Sequence, residues 1–132
     1  MVPENPAIVA FRFPDLAEAR KFYVDQLGFT VARETDEHEN MSVRFGGAQM
    51  MLEVDRANFF GDTYNQSIAA RRGNPGPNSI YIEADDLQEH YRRCQDLGIK
   101  IVDPIGERSW GQSEFTVEDP AGNFLSFWKQ TE

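Results

Sequence analysis

The chain has 132 residues, 40% hydrophobic and 27% charged, with 22 acids against 13 lysines and arginines and a formal net charge of −9. That is the composition and size of a single globular domain, and its acidity argues against a nucleic-acid partner while favouring a cationic ligand wherever acids gather at a cleft. No apolar run approaches the ~20 residues that span a bilayer, Met1–Pro6 lacks the basic and apolar parts of a signal peptide, and Cys94 alone supports neither a disulfide nor a thiolate metal cluster, so a cytoplasmic protein without a membrane partner is expected.

Ala7–Phe13 predicts the first strand. Asp15-Leu-Ala-Glu18 is then a capping-box signal, its acids well placed for the helix dipole. Leu16, Ala19, Tyr23 and Leu27 follow at helical spacing, and Gly28 offers the left-handed exit. Strands are expected at Phe29–Glu34, Met41–Phe45 and Gln49–Val54, with Gly46-Gly47 as a turn. The second half repeats the pattern: Ser79–Ala84, the box Asp86-Leu-Gln-Glu89, the stripe Leu87, Tyr91, Cys94 and Leu97, then Gly98. Strands Ile99–Val102, Glu114–Glu118 and Phe124–Trp128 complete it, with a turn at Asp119–Asn123. Shared box, stripe and exit make this an internal repeat. The expected fold is α+β: one domain over 1–132, with βαβββ modules at 7–54 and 79–130 and a connector at 55–78. The connector ends in Arg72-Gly-Asn-Pro-Gly-Pro-Asn78, which can be neither helix nor central strand.

Strand parity separates two faces. Val9, Phe11, Phe13, Leu52, Val54, Ile80, Ile82, Ala84, Leu125 and Phe127 form the face that packs under the helices. The other face carries Ile8, Ala10, Arg12, Gln49, Met51, Glu53, Ser79, Tyr81, Glu83, Phe124, Ser126 and Trp128, a mixture suited to a partly wet cavity. Glu53 either pairs with Arg12 or Arg44 or meets a cationic ligand, since a buried carboxylate needs a partner. Phe59, Phe60 and Tyr64 in the connector are candidates for a lid or wall.

The two βαβββ halves, Pro14-Asp-Leu16 before Phe22-Tyr23 and Leu27-Gly-Phe29, and Trp110-Gly-Gln-Ser-Glu-Phe115 before Asp119-Pro-Ala-Gly-Asn123, resemble the vicinal oxygen chelate superfamily over about residues 7–130. That group includes glyoxalase I, extradiol dioxygenases and the bleomycin-resistance proteins, and the last segment is most similar in character to the bleomycin-resistance proteins. The resemblance implies a curved mixed sheet around a cavity, commonly completed across a homodimer. It also assigns the metal-ligand positions of the enzymes to Ile8, Glu53, Ser79 and Ser126. Only Glu53 is a good ligand; isoleucine cannot bind a metal and serine hydroxyls are weak donors. His38, in an acidic hairpin loop, and His90, on a helix facing away from the cavity, do not replace the missing ligands. No catalytic residue, metal site or cofactor is therefore expected. The favoured reading is a binding protein that sequesters an aromatic or cationic small molecule, as in antibiotic resistance, through Glu53, Trp110 and Trp128, with Tyr81, Phe124, Ser79 and Ser126 beside them. The alternatives are a lyase, isomerase or dioxygenase with a displaced metal site around Glu53, or a dimeric scaffold with a vestigial cavity.

Overall fold

In the computed structural model, which describes residues 7–35, 39–55, 61–71, 73–74, 76 and 78–131, both expected helices start at their aspartates. The Asp15 carboxylate accepts from the Ala17 N–H at 2.8 Å and that of Asp86 from the Glu89 N–H at 3.1 Å, each satisfying a donor that the helix itself cannot. Gly28 and Gly98 end the two helices at φ +88° and +70°, where a Cβ would be strained. The first helix departs from a plain stripe. Its α-helical part, α1 (Leu16–Arg20), passes into a π-helical stretch over Lys21–Gln26, in which the Leu27 N–H reaches the Phe22 carbonyl at 2.9 Å. The wider turn lets the adjacent rings of Phe22 and Tyr23 both enter the core.

Among the described residues the strands form two four-stranded sheets, one per module, which is the form taken by the curved mixed sheet expected around a cavity. The first contains β1 (Ala10–Phe13), β2 (Thr30–Thr35), β3 (Asn40–Phe45) and β4 (Ala48–Val54) in the order β1-β4-β3-β2. The second contains β5 (Ser79–Glu83), β6 (Ile101–Glu107), β7 (Gln112–Glu118) and β8 (Phe124–Gln130) in the order β5-β8-β7-β6. In each, the first strand pairs parallel with the last and the rest are antiparallel. The two modules are tandem copies of one βαβββ unit.

Two expectations need correction, and one helix lies where none was foreseen. The first strand begins at Ala10 rather than Ala7, and Val9, placed on the packed face, is 38% exposed because this end of the chain borders an open groove. The strand after Gly98 runs to Glu107 instead of stopping at Val102; Pro104 is tolerated because β6 is an edge strand whose register shifts there. The connector also holds a helix, α2 (Asp62–Ala69), with no buried side chain, so it lacks the apolar stripe by which helices are read. Phe59, Phe60 and His38 lie outside the described residues.

The modules share one core. Phe13, Met41, Val43 and Leu52 of the first sheet join Ile82, Phe115, Val117, Leu125 and Phe127 of the second beneath α1 and the third helix, α3 (Leu87–Asp96). Polar groups lock the junction. Tyr23 donates to Asp119 at 2.6 Å, and Arg93 of α3 donates to the carbonyls of Gln26 and Asp25 at 2.7 and 3.1 Å, at the end of the first helix. Phe45 packs its ring on His90 and Phe127, with centroids 4.8 and 5.2 Å away.

Candidate functional site

Register places the polar side chains of the first sheet together: Arg12 lies beside Glu53, Asn40 opposite Glu53, Ser42 opposite Met51 and Arg44 opposite Gln49. Glu53 is 5% exposed and sits 3.4 Å from the Arg12 guanidinium, which also lies 5.4 Å from the centre of the Tyr64 ring of α2. Of the two roles open to Glu53, pairing with Arg12 is the one formed, and Arg44 instead donates to Gln49 at 3.0 Å. A charge-seeking ligand at Glu53 has to displace a buried partner first.

The second sheet carries a chain of hydroxyls. Ser126 lies 2.8 Å from Ser79 and 2.7 Å from Thr116, so its hydroxyl has partners on both sides. Ile8 projects into solvent, 74% exposed. The four positions that the resemblance assigns to metal ligands thus hold an apolar side chain, an ion-paired carboxylate and two hydroxyls engaged with each other. That donor set does not fit a divalent metal. Among the described residues no three His, Cys, Asp or Glu side chains are grouped to hold one.

Across the same sheet a row of cross-strand partners reads Glu83, Trp128, Glu114, Gly106. Glu114 is 4% exposed, and its Oε1 has no hydrogen bond; the Arg108 Nε lies 4.0 Å away, while that guanidinium donates to Asp103 at 2.8 Å. A side chain at Gly106 would collide with Arg108, whose guanidinium would sit 2.8 Å from an added Cβ, so the glycine makes room for it. Glu83 is exposed and 3.8 Å from Lys129. Trp128 therefore has a carboxylate on either side, one of them buried and short of a donor. Glu114 is not among the site residues expected from the sequence. Its alternation with Phe115 was the available signal, but the partner strand was needed to set it beside Trp128.

The remaining expected site residues are not gathered at one place. Trp110 is 63% exposed in the β6–β7 turn, beyond the last pair of the ladder. Phe124 is half-buried opposite Ser79 and Glu118. Ser79 borders a cleft of about 250 Å³ between the modules, with Arg12, Asp55, Ile68, Arg71 and Asn123. Tyr81, 56% exposed, borders a different hollow, and neither is lined by Glu53, Trp110, Phe124, Ser126 or Trp128. His90 is structural: it is buried among Phe45, Phe115 and Phe127, and burial, with the Arg93 charge second, lowers its pKa to about 4.

The chain belongs to the glyoxalase/bleomycin resistance protein/dioxygenase superfamily, whose family model matches residues 6–127. A bleomycin resistance protein of Geobacillus stearothermophilus is 25% identical over 135 residues, covering 94% of this chain and 96% of the relative. In fold, TioX from Micromonospora sp. ML1 is similar with a TM-score of 0.72 at 19% identity, covering 96% of this chain and 98% of that one. Lactoylglutathione lyase from Agrobacterium tumefaciens is similar at 0.69 and 22%, covering 96% and 94%. These last two likenesses bear on the fold alone. Among the described residues no helix is long and apolar enough to cross a membrane.

Proposed function

We propose that this chain is a metal-free binding protein that sequesters an aromatic, cationic small molecule as a cytoplasmic homodimer. The observation that carries the reading is the state of the four ligand positions: Ile8 apolar, Glu53 held by Arg12, and Ser79 and Ser126 bonded to each other. Such a set supports capture rather than Lewis-acid chemistry. Trp128 supplies the stacking surface, and Glu114 takes the charge role first expected of Glu53. A ligand cation that displaces the Arg108 guanidinium, 4.0 Å from the Glu114 oxygen and not hydrogen-bonded to it, gains a charge-assisted bond there, and the indole face beside it attracts the same cation. The bleomycin resistance relative is consistent with this class of function.

Titration with 2-naphthylmethylammonium and with neutral 2-naphthylmethanol, followed by tryptophan fluorescence, tests the proposal. The ammonium should bind more tightly, and Glu114→Gln should weaken it while sparing the alcohol. Trp128→Ala should cost both about 0.5–1.5 kcal/mol. Equal binding of the two probes, or insensitivity to both substitutions, would remove the cation site. One transition metal per chain by elemental analysis, lost in Glu53→Ala, would replace capture with a displaced metal centre.

A further inference from the structure

The hollow that holds Tyr81 has the opposite character to the Trp128 row. It measures about 550 Å³ and is open to solvent, running from Arg33, Ser42, Arg44 and Gln49 on the first sheet to Tyr81 on the second, with Ile8 and Met51 in its wall. Among the described residues no acid lines it, although the chain has 22 acids and only 13 lysines and arginines. Arg33 donates to the Ser42 hydroxyl at 3.5 Å, a long contact, and Arg44 to the Gln49 side-chain oxygen at 3.0 Å. Both acceptors are neutral, so they orient the guanidinium groups without cancelling their charge. Among the described residues neither arginine joins an ion pair. Each guanidinium has five N–H donors and a planar fork that matches a carboxylate in a bidentate pair. In a chain this acidic, two arginines with no acid beside them among the described residues mark a place where a negative group from outside is favoured. The rest of the wall is apolar: Tyr81 is 56% exposed and Ile8 74%, enough to cover one face of a flat ring.

We propose that this groove is a binding site for an aromatic carboxylate, the carboxylate held by Arg33 and Arg44 and the ring laid against Tyr81. The site is separate from the Trp128 row and does not rest on the cation reading. The test uses 2-naphthoate and its neutral isostere 2-naphthamide, followed by calorimetry and by amide resonances. Naphthoate should bind, shift the amides of Ser42, Gln49 and Tyr81, and weaken as salt is raised; naphthamide should bind at least tenfold less tightly. The double variant Arg33→Gln/Arg44→Gln, altered only at exposed side chains, should keep its melting temperature and lose at least tenfold in naphthoate affinity. Tyr81→Leu should weaken naphthoate severalfold and leave acetate binding unchanged. Equal affinity for the acid and the amide overturns the proposal, as does full naphthoate affinity in the double variant. If instead the native protein ignores naphthoate and the double variant turns a dimer into a monomer, the arginines serve a contact between copies and the groove is not a ligand site.

Discussion

His90 shows how a helix residue with a polar ring becomes part of the core. Its imidazole packs 4.3 Å from Phe127 and 4.8 Å from Phe45, centroid to centroid, and its Nε2 is buried without a hydrogen bond. The neutral ring is therefore the native form, and its pKa falls from 6.5 to about 4, chiefly through burial. In the unfolded chain the same histidine takes a proton near pH 6.5, so below that pH the unfolded state binds more protons and stability falls as pH falls, levelling off below about 4. The loss due to this residue between pH 7 and pH 5 should be about 2 kcal/mol. Urea denaturation at the two pH values measures it, with His90→Phe as the reference; a variant that loses as much stability as the native chain would show that His90 is not the source.

The elements differ in how firmly they are held. Helix α3 buries Leu87, His90 and Cys94 and carries Arg93 across to the other module, whereas α2 buries no side chain. Amides of α2 should exchange with deuterium at least a hundredfold faster than those at the centre of α3, because a helix without a buried face opens locally at little cost. Equal protection would mean that α2 is anchored by more than the visible contacts. The same contrast explains what could be read beforehand. Capping boxes and glycine exits are local, and both helices with packed faces announced themselves. The π-helical stretch was hidden because Leu16, Ala19, Tyr23 and Leu27 satisfy an ordinary helical period. Helix α2 was hidden because it has no apolar period. Strand parity gave the two faces of each sheet but not which strands adjoin, so the pairing of Glu53 with Arg12 remained one of two options, and Glu114 beside Trp128 and the arginines beside Tyr81 stayed out of sight.

Taken as a whole, the molecule presents two polar sheet faces of unlike charge. The first carries Arg12, Arg33 and Arg44 against Glu53; the second carries Glu83, Asp103, Glu114 and Glu118, with Arg108 among them and Lys100 and Lys129 pairing with Glu118 and Glu83. Ile8, Tyr81 and Trp110 remain exposed. Opposite charge on the two faces and uncovered apolar side chains outside the Arg33–Arg44 groove, Trp110 among them, favour a second copy laid against the first. Light scattering at micromolar concentration should give twice the chain mass, decreasing towards the chain mass as salt is raised; a monomer at every salt concentration would refute the shared-cavity dimer.

The bond from Tyr23 to Asp119 joins residues 96 apart in sequence. On a ribosome the tyrosine therefore emerges long before its acceptor has been translated, by roughly 5–20 s at ordinary elongation rates. Once Val54 has followed, the strands of the first module are all translated, but the half of the core that Phe115, Phe127 and Leu125 bring is still missing. A pause or premature stop in the second half leaves an unfinished apolar face, open to chaperones and proteases, and the last strand to be made is the one that closes it.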